Sequence, residues 1–444
     1  MARKNSGKDD DGSRAIPTSR TGRLARMAKM AGGVAGGMLA EGSRQLRAGK
    51  LPKARDMLLT PGNARRVTEQ LATMRGAAMK VGQILSMDTG ELLPRELTNI
   101  LARLRDDARQ MPAEQLQRAM REAYGAHWES LFYGFDAKPL AAASIGQVHR
   151  TISPDGRDIV LKVQYPGVAD SIDSDVDNIA SLLRISGLLP PGLDIQPLLD
   201  DAKQQLHEEA DYRKEAEFLQ TFGKLLRKDK RFVLPEVLPE LTHRNVLAMT
   251  YVSGSPIETI IDLPQAERDR VMSALLELML LEIFELHMVQ TDPNFANYQY
   301  RRATGEIVLL DFGATRRFKT SFVNNYKKMA RAAIAGDEDK LAAAAERLGY
   351  AVGDSSSEYR SLLLRLLIIA LEPLRTDAPY DFVRSDMARN MSKLAEEVSS
   401  YREFWQVPPS DVMYFHRKLG GMFLLASRLK TKVNVHQLAQ RWLQ

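Results

Sequence analysis

From Val67 the apolar positions step by four and three, through Leu71, Met74, Ala78, Val81 and Leu85. That spacing places one apolar stripe along one helix. Two more helices are expected before Pro139, the second opening near Pro112, because proline suits a first helical turn. Then the period shortens. Residues 140–165 read as a strand, a turn of small residues and a second strand ending Ile159-Val160-Leu161-Lys162-Val163. Helical residues follow over about 168–228, the first part of them (about 168–208) read as an insert. Strands return at 231–252, broken by Pro235 and Pro239, and from Pro264 the chain is mostly helical except around Tyr298 and residues 307–310. No internal repeat is visible.

The N-terminus differs from the rest. Residues 1–50 hold 11 Lys/Arg and 4 Asp/Glu, a balance of +7, while the other 394 hold 51 and 52, a balance of −1. The two sum to the chain's +6, so a basic body built to coat nucleic acid is not expected. A basic arm suits an anionic lipid surface or a solvated tail. Residues 1–20 read as disordered. Residues 22–47 carry Arg23, Arg26, Lys29, Arg44 and Arg47 around a Gly/Ala-rich centre. They read as a surface-lying amphipathic helix or a weakly helical lead-in. Gly32 and Gly36 are spaced for close approach of two helices, which leaves a homodimer open. The longest apolar stretch, Met272 to Met288, contains Glu277, Glu282 and Glu285. No run therefore reaches the roughly 18–20 apolar residues of a membrane span. The absence of cysteine excludes disulfides, thiolate metal sites and cysteine nucleophiles. The seven histidines show no metal-ligand spacing.

Four short pieces carry candidate chemistry. The first is the turn Ala141-Ala142-Ala143-Ser144-Ile145-Gly146, where small side chains let backbone N–H groups approach phosphate oxygens. Taken alone, small residues in a hairpin are usually just a hairpin. The second is Lys162, on a buried strand, which needs an anionic partner if it points inward; otherwise it is a strand-edge lysine in water. The third is Asp292-Pro293-Asn294-Phe295-Ala296-Asn297, whose Asp and Asn five apart could serve a reacting hydroxyl or water and a metal; it is also a good polar turn. The fourth is Ile307-Val308-Leu309-Leu310-Asp311-Phe312-Gly313, which aims one hard oxygen donor from the end of a strand. In this order, with a helix glutamate between, they are the parts of a kinase-type phosphoryl-transfer site.

Over roughly residues 65–435 the sequence resembles the UbiB family of atypical protein-kinase-like proteins, in its coenzyme Q-associated branch. Five stretches carry the resemblance: Met79-Lys80-Val81-Gly82-Gln83, Ala141 to His149, Val163 to Val168, Glu209-Ala210-Asp211 and Gln290 to Asn294. The resemblance implies an α+β, bilobal protein-kinase-like fold, with a small β-rich lobe and a large helical one. An N-terminal helical extension would pack over the active site. The chain then divides into a basic arm (1–50), the extension (51–138), an N-lobe with its insert (139–258) and a C-lobe (259–444). Lys162 would be the nucleotide lysine and Glu215 its helix partner. Asp292 would be the catalytic-loop aspartate, Asn297 and Asp311 the Mg²⁺ ligands, and Ala141, Ala142, Ala143 and Ser144 would face the nucleotide. Lys80 and Gln83 would lie across the site, Lys80 pairing with Glu209. Positions 209 and 211 are about 200° apart on a regular helix, so Glu209 and Asp211 have different targets or the helix is distorted there.

The sequence departs from ordinary protein kinases. Alanines replace the glycines of the phosphate loop, Gln290-Thr291 stands where His-Arg is usual, and Ala314-Thr315-Arg316-Arg317-Phe318 leads into a helix with no long activation segment. The expected function is an Mg²⁺-dependent ATPase, or a small-molecule or lipid kinase, using ATP or ADP. It would support ubiquinone biosynthesis at a membrane surface, in contact with quinone-pathway lipids or enzymes. The alternative is a non-catalytic, nucleotide-binding pseudokinase scaffold. A peripheral, bacterial cytoplasmic location is expected, since Asp9, Asp10 and Asp11 do not suit an acid-poor transit peptide. The stretch Tyr414 to Gly421 also matches the branch and reads as C-lobe packing rather than chemistry.

Overall fold

The computed structural model describes residues 43–45, 47, 77, 111–185, 195–350, 356–401 and 408–443. Lys80, Gln83, most of the arm and every named position of the 67–85 stripe lie outside the described residues.

Helix α1 (Ala113–Tyr124) follows Pro112, as its proline predicts. The N-lobe sheet contains β1 (Ala141–Ala142), β2 (Gly146–Ile152) and β3 (Asp158–Gln164). Next come α2 (Val168–Ile185), α3 (Gln196–Glu209) and α4 (Tyr212–Leu226). The short β4 (Phe232–Val233), β5 (Val246–Thr250) and the short β6 (Ser255–Pro256) follow, of which β5 joins the N-lobe sheet while β4 and β6 pair with later strands. Strands β1, β2, β3 and β5 form an antiparallel sheet in that order.

Alternation along β3 sets its two faces. Ile159, Leu161 and Val163 join an outer cluster with Leu116, Met120 and Trp128, so α1 covers that side. This core runs across the expected 138/139 boundary, and residues 111–132 pack as part of the N-lobe. Val160 faces the opposite, main core, and Lys162 shares its parity.

The insert is two helices, α2 and α3. Glu209 closes α3, while Asp211 is the N-cap of α4 and accepts a hydrogen bond from the Arg213 backbone N–H at 3.2 Å. The helix is therefore interrupted between Glu209 and Asp211, the second of the two readings above. Asp211 is occupied locally: the Arg213 guanidinium donates to it at 2.7 and 2.9 Å and holds its carboxyl below the usual range.

The C-lobe is built on α5 (Gln265–Phe284), buried on most sides. It continues through β7 (Met288–Gln290), β8 (Tyr298–Arg301), β9 (Glu306–Leu309) and β10 (Thr315–Arg317). Helices α6 (Thr320–Ala335), α7 (Glu338–Arg347), α8 (Ser357–Ala370), α9 (Met387–Ser399), α10 (Ser410–Arg428) and α11 (Val435–Leu443) surround it. β7 pairs with β10, and β9 lies between β8 and β4. No helix among the described residues is long and apolar enough to cross a membrane.

Candidate active site

Lys162 is 6% exposed, which for a lysine requires paired charge. Its ammonium donates to both carboxylate oxygens of Glu215 at 2.8 Å and to Asp311 Oδ2 at 3.2 Å. Glu215 arrives from the first turn of α4, on the buried face with Tyr212, Ala216 and Leu219. Asp311 arrives from the end of β9. Burial alone would push the lysine down, but the Asp311 and Glu215 charges outweigh it and hold the ammonium well above its ordinary range. Burial pushes Glu215 up to about 7 although Lys162 pulls it down, and the Asp311 charge adds to the rise. Two carboxylates thus share one ammonium, leaving excess negative charge where a cation would be welcome.

Phe312 locks this arrangement. It is 2% exposed and packs on Phe222 of α4, ring centroids 4.7 Å apart. The Gly313 N–H donates to Asp311 Oδ1 at 2.9 Å. A Cβ at Gly313 would stand 3.0 Å from Glu215 Oε2, so the glycine lets this turn approach the ion pair.

The alanine-rich loop lies on the same sheet. Ala141 opposes Val148, which opposes Lys162, so the loop's first residue and the lysine share one cross-strand row. Ala141 and Ala142 are exposed strand residues, and the turn is Ala143 to Ile145. The Ala143 N–H closes that turn onto the Gly146 carbonyl at 2.9 Å. Gly146 is required for packing: a Cβ there would meet the Val163 carbonyl oxygen at 2.2 Å.

Asp292 and Asn297 face each other across their loop. The Asn297 amide donates to the Asp292 carbonyl and to its Oδ2, both at 3.2 Å. The Leu310 N–H donates to the Asn297 carbonyl at 3.0 Å, which ties this loop beside the Asp311 turn. With its nitrogen engaged, Asn297 has its side-chain oxygen for a hard cation, and Asp311 supplies a partly exposed carboxylate. The donor set fits Mg²⁺ shared with phosphates. Among the described residues no group of three or more His, Asp or Glu forms a cage of its own.

Helix α10 contributes what the sequence reading assigned to packing. Arg417, with a side chain 10% exposed, donates to Asp292 Oδ1. Its neighbour Lys418 is buried and donates to Gln290 Oε1 at 3.3 Å and to the Tyr298 hydroxyl at 3.0 Å. A Cβ at Gly421 would stand 2.0 Å from Pro293 Cβ, so this glycine seats the Asp292–Asn297 loop on the helix. Gln290-Thr291 is accommodated in the same way. Gln290 accepts from Lys418, and the Thr291 hydroxyl donates to the Ala314 carbonyl at 2.7 Å. The signal was available in the sequence. Tyr414, Lys418, Gly421, Met422 and Leu425 recur at helical spacing, which places a lysine inside an apolar stripe.

Arg316, three residues past Gly313, joins the lobes. It donates to Asp201 of α3 at 2.9 Å, to Asp411 of α10 at 3.0 Å and to the Ser410 hydroxyl at 3.0 Å, above the Tyr414 ring. Arg316→Gln is expected to cost about 2 kcal/mol in urea unfolding. Arg316→Lys should recover only part of it, because an ammonium cannot reproduce the planar fork. An unchanged unfolding midpoint would show that the bridge contributes nothing.

A lysine on a central strand, its helix glutamate, an Asp–Asn loop and an Asp-Phe-Gly turn across a two-lobed cleft define a protein-kinase-like nucleotide site. The ABC1 atypical kinase-like domain family matches residues 103–345. The chain is 37% identical to "Atypical kinase coq-8, mitochondrial" of Caenorhabditis elegans, over 94% of this chain and 56% of that protein. It is 36% identical to "Atypical kinase COQ8, mitochondrial" of Saccharomyces cerevisiae, over 97% of this chain and 86% of that one. Among solved structures, the Rv3197–erythromycin complex of Mycobacterium tuberculosis superposes with a TM-score of 0.59 at 25% identity, covering 86% of this chain and 95% of that one. The chain belongs to the UbiB family of ABC1 atypical kinase-like proteins, in its coenzyme Q-associated branch.

Proposed function

We propose that the protein is an Mg²⁺-dependent ATPase, or a small-molecule or lipid kinase, that supports ubiquinone biosynthesis as a peripheral protein at a membrane surface. The observation that carries this reading is Lys162 held between Glu215 and Asp311. That pairing sets a cation and a metal-competent carboxylate at one point of the cleft. In the reading, Asp311 and Asn297 hold Mg²⁺, which neutralises phosphate charge when bound. Lys162 binds phosphate oxygens, and Ala141 to Ser144 form the lip over the nucleotide. Asp292, oriented by Arg417 and Asn297, accepts a proton from the attacking water or hydroxyl.

The short passage from Gly313 to α6 leaves little platform for a peptide, which favours a small acceptor. Lys80, Gln83 and Glu209 gate the site in this reading. Ala77, three residues before Lys80, is helical, buried and part of the main core, which favours a helix lying against the lobes. Asp211, occupied by Arg213, would act there by fixing the start of α4.

The test is phosphate release from Mg·ATP by the pure protein, with and without anionic vesicles. Turnover above that of an Asp292→Asn variant, and altered by Lys80→Ala without loss of folding, is expected. Turnover no higher than that of Asp292→Asn would favour the nucleotide-binding scaffold.

A further inference from the structure

Helices α6 and α7 are consecutive and turn at Gly336, whose φ of 69° is left-handed. Between them lies a cavity of about 420 Å³, large enough for a small ligand or a headgroup. Alanines from both helices line it, the buried Ala332 of α6 and Ala344 of α7 at its floor and the exposed Ala335 and Ala343 along its sides. Its rim is cationic: Lys328, Arg331, Lys340 and Arg347 stand around a single acid, Asp337.

These cations are not equivalent. The Arg331 Nε donates to the Leu443 carbonyl at 3.0 Å, and Lys340 pairs with Asp337 at 2.8 Å. Lys328 and Arg347 are exposed and have no carboxylate partner among the described residues. The groove therefore presents positive charge above a surface that can neither donate nor accept a hydrogen bond through its side chains. An acidic peptide would leave backbone amides unpaired over the alanines. A free phosphate would satisfy the rim and leave the floor uncovered. An anionic amphiphile matches both.

We propose that this groove binds the phosphate headgroup of an acidic phospholipid, with the phosphate on Lys328 and Arg347 and its glycerol and first acyl carbons over the alanine floor. The inference rests on the membrane-surface reading above and names a patch of the C-lobe that would carry it. Since α6 follows β10 directly, the patch lies on the segment leaving the Asp-Phe-Gly turn.

The full chain is sedimented with vesicles of phosphatidylcholine alone, or of phosphatidylcholine with 30 mol% phosphatidylglycerol (about that proportion suffices to charge the surface). Binding to the anionic vesicles only, weakened by salt, is expected. The double variant Lys328→Glu/Arg347→Glu should bind them at least about tenfold more weakly, and so should Ala343→Glu, which puts a carboxylate on the side of the groove. All should keep wild-type phosphate release without vesicles. Variants that bind like wild type would overturn the groove alone and leave the membrane reading intact. Wild-type protein that ignores anionic vesicles would overturn both. Displacement of the protein by millimolar inorganic phosphate at constant ionic strength would identify a soluble-phosphate site and overturn the lipid assignment.

Discussion

Asp311→Asn is expected to remove most Mg²⁺-dependent nucleotide binding and to lower turnover by about 10²–10³-fold. The variant keeps the shape of the side chain, and its one oxygen can still accept from the Gly313 N–H, as Oδ1 does at 2.9 Å, but an NH2 then stands where Oδ2 accepts from Lys162 at 3.2 Å. With that second acceptor it loses the charge. In the wild type that charge presses on Glu215 and raises its pKa, so its removal relieves the buried carboxylate pair. Stability without ligand should hold or rise slightly. Stabilisation by Mg·ATP should collapse, since a 100-fold loss of affinity at a concentration that was 100 times Kd removes about 2 kcal/mol of linked stability. Thermal unfolding with and without Mg·ATP separates the two effects. An Asn variant stabilised by Mg·ATP as strongly as wild type would contradict the metal assignment.

The parts of this site that were legible in the sequence are local in character. Lys162 sits in an apolar strand, and Asp311 ends another beside a diagnostic Phe-Gly; each declares itself within seven residues. Glu215 was legible only through the family resemblance, because the helical pattern over about 168–228 shows no start near 211. The break after Glu209 was only half legible: angular spacing showed that 209 and 211 disagree on one helix but not that Asp211 caps a new one. Strands β7 and β10 were missed because three residues are too few to show a period, and their pairing is set by a partner beyond the Asp292–Asn297 loop. Arg417 was missed for a related reason. Its partner Asp292 lies 125 residues away, and an arginine on a helix reads as solvated unless the opposite surface is known. Family likeness pointed at this stretch, Tyr414 to Gly421; Tyr414 and Phe415 do pack in the C-lobe core, and the polar contacts of Arg417 and Lys418 come in addition to that packing.

Lys418 shows what that stretch does. It is 3% exposed, stands 3.7 Å from the equally buried Glu282 of α5, and holds Gln290 two residues before Asp292. Lys418→Met should cost about 3–5 kcal/mol, because it leaves a buried carboxylate without its cation. Adding Glu282→Leu should return most of that stability, since replacing both charges with apolar groups is often neutral. The pH dependence distinguishes a lost charge from a lost fit. Burial pushes Glu282 up to about 7 even with Lys418 pulling it down, so without the lysine it rises further. A carboxyl raised on folding contributes stability below its unfolded pKa, near 4.5, and loses it as pH climbs through the folded value. The gap between Lys418→Met and wild type should therefore be small at pH 5 and widen through pH 7 and above, read as unfolding midpoints at pH 5 and 8. A gap of equal size at both would mean that the lysine acts by volume, and Gln290 would then owe its position to packing. The double variant still lacks the donor to Gln290, so it should refold to near wild-type stability while phosphate release stays low. Recovery of full turnover would instead show that the catalytic loop needs only an uncharged floor.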